Sequence, residues 1–111
     1  MQESIHKYFK IGTIQWMSHP PTDRDVLTSI HQIACDDFFD AIEVCKFDSD
    51  EARAKAKKML DEGHMTVCYG AQPRLLGPKL NPNDLDEEGR QKAEATLIEA
   101  VDEAEFLGAR G

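Results

Sequence analysis

At 111 residues, with 21 acidic against 13 basic side chains and a formal net charge of −8, the chain has room for one domain and too little for two. The acidic balance excludes nucleic acid and anionic membrane as partners, because binding phosphates needs a basic stripe. The three cysteines, Cys35, Cys45 and Cys68, have no CxxC spacing; this argues against a disulfide framework or zinc ribbon and for reduced thiols in a cytoplasmic protein.

Residues 1–8 are polar and read as a loose lead-in to a single unit over 9–111. Residues 9–17 (FKIGTIQWM) are apolar and β-rich and predict a buried strand. Pro20 and Pro21 end it, since proline cannot continue a ladder. Val26, Leu27, Ile30, Ile33 and Ala34 follow at helical spacing, with Thr22 or Asp23 as N-cap. Residues 41–46 (AIEVCK) predict the second strand. Asp48 with Glu51 signals the second helix, whose inner face is Ala52, Ala56, Met59 and Leu60, with Gly63 as a left-handed C-cap. Residues 65–69 (MTVCY) predict the third strand. A connection over 70–83 with three prolines and two glycines follows, a length often tied to function. Asp84 and Glu87 repeat the capping signal for a third helix reaching Leu107, with Ala93, Leu97, Ala100, Val101 and Ala104 inward and Gly108 as its C-cap.

Three strand–helix units in succession predict an α/β fold with parallel strands joined by crossovers. The third helix is acidic along its length: residues 84–105 hold nine acidic side chains and two basic ones, Arg90 and Lys92. That is either a solvated face or an acidic docking surface. No apolar run approaches the roughly 18 residues of a membrane span. No basic-then-apolar leader opens the sequence, so secretion is not expected.

Ligands of parallel α/β folds sit beyond the carboxyl ends of the strands. This sorts three clusters to the site side: Gln15, Trp16, Met17 and His19; Glu43, Cys45 and Lys46; and Tyr69, Gln72 and Arg74. His64 and Gly63 fall at the opposite, stability end. Glu43 stands out because a carboxylate in a short apolar strand is costly unless paired or used. It binds a sugar hydroxyl or orients a catalytic group, or else it forms an interior salt bridge. Trp16 suits stacking on a sugar ring or plain core packing. Lys46 and Arg74 suit a phosphate or carboxylate, and Tyr69 with Gln72 suits hydroxyls. His31 and Cys35, four apart, could share a metal but read as ordinary packed positions. Asp23 and Asp25 near His19 read as helix caps rather than as an oxygen-rich site. No nucleophile elbow, phosphate loop or dinucleotide fingerprint occurs.

Residues 38–44 (FFDAIEV) resemble the second-strand signature of the xylose isomerase-like TIM barrels. These include sugar phosphate isomerases and epimerases, hydroxypyruvate isomerase and the inosose-processing enzymes. The opening strand over 10–13 (KIGT), the helix end at 59–64 (MLDEGH) before 65–67 (MTV), and the closing 100–109 (AVDEAEFLGA) are similar to the same proteins. The resemblance implies the first three units of a (β/α)₈ barrel, a partial TIM barrel, within a whole of roughly 250 residues. It implies a parent that moves a proton between neighbouring carbons of a sugar or sugar phosphate, assisted by a divalent metal (Mn, Co, Mg or Zn). Glu43 matches the family's second-strand glutamate; Gln15, Trp16, Tyr69 and Gln72 match by position at strand ends. The family's metal-binding carboxylates lie on later strands, so no metal ligand is assigned here and none is expected in this chain. The expectation is an N-terminal portion that contacts substrate, is inactive alone, and self-associates through exposed sheet edges. The alternative is a self-standing small α/β binding or interaction module that self-associates.

Overall fold

The computed structural model describes residues 3–20 and 25–111. Pro21, Thr22 and Asp23 lie outside the described residues. The elements run β1 (Gly12–Ile14), α1 (Gln15–Ser18), α2 (Val26–Ala34), β2 (Ala41–Val44), α3 (Asp50–Glu62), β3 (Thr66–Tyr69), α4 (Gln72–Leu76) and α5 (Glu87–Leu107). The three strands form one sheet in the order β1-β2-β3, both pairs parallel. The α/β fold with parallel strands is the one the sequence predicts.

In a parallel sheet, paired residues share a face and successive residues alternate. Ile42, Val44 and Val67 point to the face covered by helices, where they join Ile30 and Ile33 of α2, Ala56 and Leu60 of α3, Phe47 and Leu107 in one buried core. The opposite face carries Gly12, Ile14, Ala41, Glu43, Thr66 and Cys68, most of them half-exposed.

The first strand is much shorter than the expected 9–17. It stops at Ile14 because the next residue is drawn to the helix layer: the Gln15 amide Nε2 donates to Ser29 Oγ on α2 at 2.7 Å, both groups buried. Residues 15–18 close one helical turn, with the His19 amide donating to Gln15 O, and Pro20 follows. The described part of the lead-in is not loose: a 3₁₀ turn at Ile5–Lys7 is fastened by His6 Nδ1, 2.8 Å from Asp40 Oδ2, and by a T-shaped contact of the His6 and Phe38 rings.

The helix starts fall one to three residues beyond the expected caps. Asp25 caps α2 through Thr28 N, Ser49 rather than Asp48 caps α3 through Ala52 N, and Asp86 rather than Asp84 caps α5 through Gly89 N. Asp84 instead accepts from the Asp86 amide and shapes the turn before the cap. Gly63 is not left-handed, with φ −80°; the left-handed residue is His64, with φ 53°. Glycine serves at position 63 for close approach, since a Cβ there would stand 3.2 Å from Ala34 Cβ and from Met59 O. Gly108 does take the expected left-handed cap, with φ 72°. Past it, the Arg110 amide donates to Val67 O and Gly111 O accepts from the Tyr69 amide. Residues 110–111 thus run alongside β3 in its own direction, and the β3 edge expected to be bare is partly covered.

Candidate functional site

Glu43 sits on the middle strand, in register with Ile14 on one side and Cys68 on the other, facing away from the core. With Gly12, Ala41 and Cys68 it lines a shallow groove of about 200 Å³ on the open sheet face. Small side chains at Gly12 and Ala41 make that groove, and the carboxylate stands at its carboxyl end.

The site proper forms around Gly70, the first residue after β3, whose amide donates to Val44 O at 2.8 Å. A Cβ on Gly70 would lie 2.5 Å from Glu43 Oε1, 2.6 Å from Trp16 Cη2 and 3.1 Å from Gln72 Oε1. Three residues singled out from the sequence, on α1, β2 and α4, therefore converge on one point at the carboxyl ends of the strands. The short turn α1 aims Trp16 there, and the first residue of α4 places Gln72. None of the three makes a side-chain hydrogen bond or ion pair to another described residue. An indole face, a carboxylate and an amide without protein partners are the groups that a polyhydroxy ligand engages: the ring stacks, the carboxylate accepts from hydroxyls, and the amide does both.

Tyr69 belongs elsewhere. It pairs with Val44, points to the helix side, and donates its hydroxyl to Glu103. The other Glu103 oxygen accepts the Phe47 amide at 3.3 Å. Arg74 Nη1 lies 3.6 Å from Glu103 Oε2 and donates to the Tyr69 oxygen at 3.3 Å, while Nη2 donates to Glu99 at 2.8 Å. Glu103 is 5% exposed and the Arg74 side chain 6% exposed. Tyr69 and Arg74 are therefore engaged in a buried network that ties β3 and α4 to α5, and neither is free for substrate. Sequence reasoning missed Glu103. The signal was there: it falls three residues after Ala100 and ten after Ala93, on the stripe of α5 that faces inward.

Burial pushes the Tyr69 phenol well above its ordinary value, and its hydrogen bond to Glu103 pushes the same way. Burial likewise raises the Cys45 thiol, reinforced by the charges of Glu103, Asp48 and Glu43. Both groups hold protons more tightly folded than unfolded. Their contribution to stability is complete below the ordinary thiol and phenol values of 9.0 and 10.0 and is lost as pH rises toward the folded values. The melting temperature should therefore fall as pH rises above about 9, and Tyr69→Phe should shrink the part of the fall above about pH 10. A profile as steep in Tyr69→Phe as in the parent would take Tyr69 out of the alkaline transition.

The remaining candidates scatter. Gln15 is buried against Ser29 and turned from the strand ends. Met17 is exposed, and His19 Nδ1 meets its neighbour Ser18 Oγ at 3.0 Å. Exposed Lys46 lines a separate cleft of about 380 Å³ with Asp48, Arg53 and Asp102, between the start of α3 and α5. Arg53 is held there by Asp50 and by the Phe106 ring. His31 and Cys35 are exposed, not packed, with Sγ 3.8 Å from Nε2. Among the described residues no group of three or more His, Cys, Asp or Glu side chains could hold a metal ion. Nor is any described helix long and apolar enough to cross a membrane. Compared with known proteins, the chain matches no family model, no curated protein and no solved structure.

Proposed function

We propose that the chain supplies the first strand–helix units of a xylose isomerase-like barrel and, within it, one wall of the pocket for a sugar or sugar phosphate. The observation that carries this is the meeting of Trp16, Glu43 and Gln72 over Gly70, at the carboxyl ends of parallel strands, with their polar ends unpartnered. In this reading the indole stacks on the apolar face of the sugar, while Glu43 and Gln72 fix adjacent hydroxyls. The divalent metal of the parent reaction is expected on other strands; the described residues do not make a site for it, and no step is derived through it. The isolated chain is then a binding surface without turnover. β1 has β2 as its one strand partner among the described residues, and such an edge favours association with further strands or with a second copy.

Trp16 is the one tryptophan of the chain, so its emission reports on this site alone. Titration with aldoses, ketoses and their phosphates should quench or shift that emission saturably at millimolar concentration, with no isomerisation detectable with or without added manganese. Glu43→Ala should weaken binding about tenfold, the effect of a lost charge-assisted hydrogen bond. An unresponsive Trp16 across the panel would remove the binding role, and robust turnover would overturn the partial-site reading.

A further inference from the structure

Away from the strand ends, the outer flank of α5 carries a largely apolar groove of about 450 Å³ lined by Pro82, Leu97, Ile98 and Val101, with Arg90, Glu94 and Asp102 at its rim. Val101 is 66% exposed and Ile98 57% exposed. Val101 is expected from the sequence to face the core; the α5 stripe that does so is instead Ala93, Ala100, Glu103 and Leu107. The helix is therefore apolar on two sides, one covered by the core and one left uncovered by the described residues. Ile98 and Leu97 with Val101 stand one turn apart, the spacing with which a helix receives another helix. The charge around them is mixed and acidic on balance, with Arg90 set against Glu94 and Asp102. Arg90, the rim's cation, is held by Glu87 and Glu94, whereas Asp102 has no partner among the described residues. The first turn of α5 carries Glu87 and Glu88, which pair with Arg90 and Lys92, so Asp102 is the rim's unpaired charge among the described residues.

We infer that this groove docks a basic amphipathic helix of a partner polypeptide, laid along α5 with its apolar stripe on Leu97, Ile98 and Val101 and its lysines or arginines over Asp102 and Glu94. Charge complementarity selects that occupant. A second copy of this chain would bring another −8 and another acidic helix to the same surface, which repels it. Burial of three aliphatic side chains supplies the attraction, and the acidic rim sets the sign of the partner and the salt dependence. The inference is independent of the proposed sugar site, which lies at the strand ends on other residues.

The test uses the full chain, isotopically labelled, and two helical peptides of roughly 18 residues with leucines at i, i+3, i+4 and i+7, one otherwise lysine-rich and one otherwise glutamate-rich. The lysine peptide should shift amide resonances centred on Leu97, Ile98 and Val101, while the glutamate peptide should leave them unchanged. Ile98→Asp, at an exposed position and so compatible with folding, should weaken the lysine peptide about tenfold. Glu94→Gln with Asp102→Asn should weaken it severalfold and flatten the salt dependence. Three outcomes would overturn the inference: shifts spread over the acidic surface and indifferent to Ile98→Asp, equal binding of both peptides, or a concentration-dependent dimer of the chain that Ile98→Asp abolishes.

Discussion

Glu103→Ala is expected to be among the most destabilising single substitutions in the chain, at about 3–5 kcal/mol, because it leaves buried partners without a counter-charge. The carboxylate accepts from the Tyr69 hydroxyl and the Phe47 amide and faces the Arg74 guanidinium, in a place only 5% exposed. Removing it strands a donor on β3, a donor three residues past β2 and a buried cation on α4. Arg74 already carries one buried nitrogen, Nε, with no partner among the described residues, so it has little capacity left to absorb the loss. Glu99, the other carboxylate on Arg74, is 69% exposed and cannot take over a buried role. Tyr69→Phe should cost less, about 0.5–1.5 kcal/mol, since it removes one neutral hydroxyl and leaves Glu103 with Phe47 and Arg74. Urea denaturation of the three proteins checks the order. The double variant Glu103→Leu with Arg74→Met should recover much of the loss, since an ion pair replaced whole by apolar groups is nearly neutral. A Glu103→Ala protein as stable as the parent would mean the network adds nothing to the hold of α5 on the sheet.

The elements that read well from the sequence are those whose information is periodic. α3 shows Ala56 and Leu60 buried where helical spacing places them, and Ile42, Val44 and Val67 alternate as strand residues must. What did not read was set by partners distant in sequence. Residues 9–17 look like one long strand until Gln15 finds Ser29 on α2 and turns the chain after Ile14. Tyr69 stands at a strand end, as a site residue should, but strand register with Val44 sends it to the opposite face from Glu43. The acidic helix hid Glu103 among eight other carboxylates in residues 84–105, and only its phase relative to Ala93 and Ala100 separates it from the solvated ones. The candidate site was legible in three of its four parts. Trp16, Glu43 and Gln72 were marked by residue type at strand ends, whereas Gly70, which lets them meet, carries no side chain to mark it.

Gly70→Ala is expected to abolish ligand binding while leaving the fold intact, and the reason is the crowding at that point. The new methyl would fall 2.5 Å from Glu43 Oε1 and 2.6 Å from Trp16 Cη2, both far inside van der Waals contact. Backbone cannot yield there, because the Gly70 amide is fixed to Val44 O. The two side chains must therefore move, and each is met at its far end: the carboxylate swings by rotation about its own bonds and the indole swings from the short α1 turn. The cost in stability is that of a modest overpacking, about 1–3 kcal/mol. The cost in function is larger, because displacing both groups by an ångström or more breaks the arrangement in which one ring and two polar ends address a single ligand. Trp16 emission should shift in the unliganded variant, since the ring leaves its half-buried place, and the sugar response should vanish. Gly77→Ala is the control: a Cβ there meets Pro73 O at 3.2 Å and no site residue, so it should leave both readouts unchanged. Normal sugar binding in Gly70→Ala would show that Trp16 and Glu43 act apart from one another, and the convergence on Gly70 would then be a packing feature of the strand ends rather than a binding site.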